Sequence, residues 1–221
     1  MMTNLFSTFD PASSMLTSIN WISSMWCLIM LPLPFWVSPN RSSVILNKII
    51  NTLYMEFKTL MGKNSMGMKM MMISLFIFIM LNNLMGLIPY VFTSTSHLSC
   101  SLALALPMWL SIILFGWINK TNHMFSHMIP TGTPAMLMPF MVIIETISNL
   151  IRPGSLAVRL TANMIAGHLL MSLLGQNFSL SWMLPLTMLM QMMLMMFEMA
   201  VALIQAYVFS ILSTLYSSEV I

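Results

Sequence analysis

From about Met136 to Leu174 and from about Leu180 to Tyr216 the chain stays apolar for about 39 and about 37 residues. A helix needs about 20 residues to cross the roughly 30 Å of hydrocarbon in a bilayer. At 1.5 Å per residue these two would reach 55–58 Å. Tilts average about 20° and reach about 40°, which does not absorb the excess. Pro153-Gly154 offers a break, but Met136 to Ile151 alone gives only about 24 Å. The expectation is one long, inclined and kinked helix, followed by a second of similar length. Composition supports a membrane home. Charged residues are 6% of the chain, against about 25% in a soluble domain, and mean hydropathy is +0.89. So few charges cannot cover a surface in water, so the bilayer is the expected surroundings.

Three shorter apolar segments precede the long ones: about Met15 to Val37 (its far end loosened by Pro32 and Pro34), Met68 to Tyr90, and Leu98 to Ile118. Between the first two, Val44 to Met61 follows a different pattern. Ile45, Ile49, Leu53, Phe57 and Leu60 share one face at helical spacing, and Lys48, Asn51, Thr52, Lys58 and Thr59 occupy the other. Glu56 falls near the boundary. This predicts an amphipathic helix lying in the interface. The fold class is therefore all-α and multi-pass, with about five transmembrane segments and one interfacial helix. The last two helices are long, steeply inclined and antiparallel, and residues 1–221 read as a single integral membrane domain.

Arg41, Lys48, Lys58, Lys63 and Lys69 lie on or beside the amphipathic segment, and Lys120 lies between the third and fourth spans. Residues 1–14, the loop near Phe92–His97 and the turn near Gly175–Ser179 carry no Lys or Arg. By the positive-inside rule the N-terminus faces away from the compartment of synthesis and the C-terminus faces into it. The start of the chain has no positive n-region and no Arg-rich presequence. A chain this hydrophobic is expected to be made and inserted where it works.

Arg159 stands in the middle of the fourth segment. An arginine at the centre of a membrane helix costs roughly 2.5–3.5 kcal/mol by insertion scales. No acid lies within one helical turn, and Glu145 is about 21 Å away along the helix. A distant helix or another protein must supply the counter-charge, which points to ion handling.

A short turn joins the two long helices, so facing residues should have a nearly constant index sum. That sum is 364 for Arg159 with Gln205, 364 for Glu145 with Glu219, and 366 for His168 with Glu198. The polar groups thus fall at three levels, one central and one toward each side. Carboxylates and an imidazole at depth exchange protons. Arg159, always charged, blocks a hydrated path and attracts a mobile carboxylate. Gln205 and Asn163 are placed to hold its guanidinium. One difficulty is angular: His168 lies about 180° round the helix from Arg159, whereas Glu145 and Asn163 lie within about 40° of it. Either the kink corrects this or the two paths open on different faces.

The run from Glu145 to Gly154 and on through Arg159 to His168 resembles subunit a of the rotary ATP synthases. More closely, it resembles the mitochondrially encoded form of animals, arthropods in particular. Asn82-Asn83-Leu84-Met85-Gly86-Leu87-Ile88-Pro89-Tyr90 and Leu212 to Glu219 match as well, so the resemblance spans essentially the whole chain. It implies a stator subunit in the mitochondrial inner membrane, N-terminus toward the intermembrane space and C-terminus toward the matrix. Its partners would be the c-ring, whose carboxylates answer Arg159, and other membrane-sector and peripheral-stalk subunits. His168 and Glu198 would line a half-channel from the intermembrane space, and Glu145 and Glu219 one to the matrix. No cofactor, resident metal or nucleic acid is expected.

The remaining features have plain readings. The 30 methionines are flexible lipid-facing filler, and Cys27 and Cys100 are small hydrophobes. Arg152 precedes Pro153-Gly154, where the break leaves backbone carbonyls free, and is expected to have a structural role rather than to handle protons. His123 and His127 lack a third metal ligand nearby. His97 and Asp10 read as exposed, and Glu56 as an interfacial acid turned to water. A secondary transporter would be expected to show repeats with broken helices, and none is apparent. A proton-translocating subunit of a redox-driven complex is the alternative, but such subunits string several lysines and glutamates along the bilayer. A purely structural subunit has no use for Arg159.

Overall fold

The computed structural model describes residues 5–13, 17–32, 37–62, 65–129, 133–176 and 184–220. Among them the regular elements are helices. In order come α1 (Trp26–Met30), α2 (Arg41–Met61), α3 (Met66–Gly86), α4 (Leu98–Asn119), α5 (Thr121–His127), α6 (Met138–Gln176) and α7 (Leu184–Val220), with short 3-10 turns at Leu5–Phe9, Ile19–Met25, Ser94–Ser96 and Ala135–Leu137. Among the described residues four helices are long and apolar enough to cross a membrane: Gly67–Gly86, Leu98–Asn119, Met138–Gln176 and Leu184–Val220. Helices satisfy every internal backbone group within the segment, which a bilayer core demands.

The two long helices exist as expected, α6 slightly displaced toward the C-terminus. α6 runs 39 residues with Pro153 inside it, and α7 runs 37. Part of the turn between them lies outside the described residues, as do Pro34 and Lys63. Among the described residues of the first apolar segment the helix covers Ile19–Met30, its first seven residues as 3-10 helix. Polar Ser18, Asn20, Ser23 and Ser24 stand at its start, and residues 15–16 and 33–36 of that segment lie outside the described residues.

Local chemistry sets several ends. α2 stops at Gly62, whose φ of 73° is the left-handed region that glycine enters without a Cβ penalty. The Lys69 ammonium, almost fully buried, donates back to the Gly62 carbonyl and ties the α2–α3 turn. α3 ends before Pro89, where the preceding residue is turned away from helical geometry.

The core joins α2, α3, α4, α6 and α7 through Leu53, Phe57, Met72, Phe76, Ile79, Ala105, Leu156, Leu160, Ala206 and Phe209. Of the predicted apolar stripe on α2, Leu53 and Phe57 are buried, whereas Ile45 and Ile49 stay exposed. The C-terminal half of that helix therefore docks on the bundle. α7 presents a row of small buried residues, Ala202, Ala206, Ser210, Ser213 and Ser217. Small residues let backbones approach where lipid offers no hydrophobic drive between helices. The serine hydroxyls bond to carbonyls of their own helix three or four residues back, so their burial leaves no unpaired donor.

Candidate functional site

At the central level Arg159 is exposed on the outer face of α6, with Ala162, Asn163, Ala166 and Leu170 continuing the same face. Among the described residues it forms no ion pair, since both ion pairs belong to Arg152. Gln205 behaves differently from expectation. Its Nε2 donates to the backbone carbonyl of Arg159 at 2.9 Å, so it ties α7 to the backbone of α6 rather than to the guanidinium. Asn163 is likewise exposed, one turn along.

The second level gathers Glu198 and His168. Glu198 is 9% exposed, and its carboxyl lies directly over the Cα of Gly167. A Cβ built on Gly167 would sit 2.5–2.6 Å from the Glu198 carboxyl atoms, so only glycine leaves that space open. His168 is half-buried beside the Gly86 backbone, and Phe9 meets its ring edge-on at 6.1 Å. The imidazole and the carboxylate share a level without forming an ion pair within 4.0 Å. Arg159 thus lies exposed on the outer face of α6, whereas His168 is half-buried on the side turned toward α3.

Around His168 the packing leaves polar atoms unanswered. The Asn82 amide nitrogen, both amide atoms of Asn83, the Thr95 hydroxyl, His97 Nε2 and His168 Nε2 are buried without a hydrogen-bond partner. Thr93 and Met164 side chains meet at Gly86, which places the end of α3, the Ser94–Ser96 turn and α6 together. Unpaired buried groups cost about 1–3 kcal/mol each, and ordered water is the usual remedy. His97, read from sequence as exposed, instead stacks on Phe92 at 5.2 Å with Trp21 also 5.2 Å away. Asn82 and Asn83 were visible as an amide pair in an apolar run. What marks them as site residues is burial, which the sequence does not display.

The third level holds Glu145 and Glu219, and it is joined by Arg152. The guanidinium donates to Glu219 Oε2 at 2.9 Å and to Glu145 Oε1 at 3.4 Å and lies 5.0 Å from the Tyr216 ring centre. The expected structural role of Arg152 beside the Pro-Gly break named no such partners, because Glu219 lies 67 residues away in sequence. A cavity of about 250 Å³ opens here, lined among others by Trp109, Trp117, His127, Asn149 and Tyr216. His123 and His127 stand 6.1 Å apart, and no group of three or more metal-type ligands occurs among the described residues. Glu56 accepts a hydrogen bond from the Tyr207 hydroxyl at 3.0 Å, so this exposed acid links α2 to α7 as well as facing outward.

The family model described as ATP synthase A chain matches residues 14–218. Proteins called ATP synthase subunit a are 59% identical in Anopheles quadrimaculatus, Locusta migratoria and Drosophila melanogaster. Each alignment covers 100% of this chain and 100% of the relative.

Proposed function

Since the chain belongs to the ATP synthase A chain family, we propose that it is the proton-translocating stator subunit of a rotary ATP synthase in the mitochondrial inner membrane. By itself it is not an enzyme. Arg159 carries the reading: a permanent cation on the outer face of a long apolar helix, unpaired among the described residues, requires an acid from another chain. A ring of c subunits, each with one membrane carboxylate, supplies it. Ala162 and Ala166 beside Arg159 keep that face shallow enough for a partner helix to come close.

Protons enter from the intermembrane space past the unpaired polar groups around His168 and Glu198 and neutralise a c carboxylate, which then moves into lipid. After nearly a full turn the carboxylate releases its proton toward the matrix by way of Glu145 and Glu219. Arg159 stands between the two paths and prevents a direct leak, because a guanidinium does not give up its proton at any physiological pH. The basic α2 region faces the matrix, with the C-terminus on that side and the N-terminus opposite. Other membrane-sector and peripheral-stalk subunits hold the chain against rotation. The family match leaves no observation favouring a redox-driven complex.

ATP-driven proton pumping by inner-membrane vesicles tests this. Arg159→Ala and Arg159→Gln are expected to abolish it, and Arg159→Lys to rescue it only in part, since an ammonium lacks the planar fork. Normal pumping by Arg159→Ala would overturn the assignment.

A further inference from the structure

Arg152 and Arg159 lie on α6 two turns apart, about 10.5 Å along the axis and on nearly the same face, yet their surroundings are opposite. Arg159 is unpaired among the described residues, whereas Arg152 holds two acids at once. One of them, Glu145, lies two turns back on the same helix. The other, Glu219, comes from the end of α7. The side chains are 26% exposed for Arg152, 32% for Glu145 and 44% for Glu219, so all three reach the cavity that opens between α4, α5, α6 and α7. The other titratable groups lining it are Tyr216 of α7, which lies under the guanidinium, and His127 of α5. α4 contributes apolar and aromatic residues, among them Trp109 and Trp117.

We propose that Arg152 is a positioning residue of the proton path, holding Glu145 and Glu219 as one two-carboxylate station at this cavity. The proposal rests on the reading of these acids as the matrix-side path. A planar guanidinium serves two carboxylates through separate N–H arms, and each arm is strongest while its carboxylate is charged. A proton arriving on either acid weakens one arm. The fork then closes on the remaining carboxylate, and the neutral acid is released toward the cavity, where it passes its proton to water and is recaptured. Only the proton changes hands, and Arg152 stays charged throughout. Without the fork, the two acids are independent groups on two separate helices.

The test uses assembled synthase in sealed inner-membrane vesicles, with assembly checked on native gels. Arg152→Gln is expected to slow proton flux about tenfold, less than the 10²–10⁴-fold effect of a group that itself transfers the proton. Arg152→Lys should recover part of the rate. The rate–pH profile of Arg152→Gln should depart from wild type when matrix-side pH is varied and not when the opposite pH is varied. The effects of Arg152→Gln and Glu219→Gln should also be non-additive, because the two residues act as a unit. If Arg152→Gln assembles poorly, Arg152→Lys alone and combined with Glu219→Gln provides the same cycle. Additive effects, or a wild-type pH profile at reduced rate, would overturn the role of Arg152. If Glu145→Gln and Glu219→Gln do respond to matrix-side pH in that case, the proton-path reading stands without it. If those two variants ignore matrix-side pH, the path reading fails and takes this inference with it.

Discussion

Gly167 shows how one absent side chain is used. The Glu198 carboxyl occupies the space where a Cβ would stand, so the acid is fixed on the helix that also carries His168, one residue further on. Gly167→Ala must displace it. The carboxyl is the far end of a flexible side chain, so the cost to folding is small while the cost to position is not. The expected outcome is a normally assembled complex with proton flux lowered from the intermembrane side, read as pumping rate per unit of assembled synthase. Wild-type flux would mean that the place of the Glu198 carboxyl is not critical. The charge and spacing of Arg159, Glu145, Glu198 and Glu219 were legible in the sequence, because few ionisable groups occur in so apolar a chain. The partners of Gln205 and Arg152 were not. A backbone carbonyl acceptor, and an acid 67 residues away, leave no local signature.

At the scale of elements, α6 and α7 carry the register that their polar residues suggest. Gln205 bonds to Arg159 and Glu198 seats on Gly167, contacts with index sums of 364 and 365. Small residues on α7 make the approach close enough for these bonds. Cysteines at Thr161 and Ala202, both buried on facing sides, should crosslink more readily than cysteines at Thr161 and Ala206, since a disulfide needs Cα atoms within about 7 Å. Equal yields for the two pairs would contradict the register. Hydropathy over Met15 to Val37 suggests a span, and among the described residues of that segment the helix covers Ile19–Met30. The Ser94–Ser96 turn has no apolar period at all, and its burial follows from the helices that close over it.

The molecule as a whole separates two polar regions on opposite sides of Arg159. One is the set of unpaired groups where α3, the Ser94–Ser96 turn and α6 meet near His168, the other the cavity at Arg152, Glu145 and Glu219. Each group equilibrates with the water it reaches, so its titration follows that side. The rate–pH profile of Glu198→Gln is therefore expected to differ from wild type when intermembrane-side pH is varied, and that of Glu145→Gln when matrix-side pH is varied. Identical side-dependence of the two variants would indicate one continuous path. By itself the sequence determined that the chain lives in lipid, that two helices exceed the bilayer thickness, and that one arginine among them lacks a local acid, since hydropathy, length and charge are properties of order along the chain. Only the tertiary structure decided which face of α6 carries Arg159, which buried amides stand around His168, and that Arg152 ties the two acids together. Those outcomes depend on side chains distant in sequence meeting across helices, and on where packing leaves a polar atom without a partner.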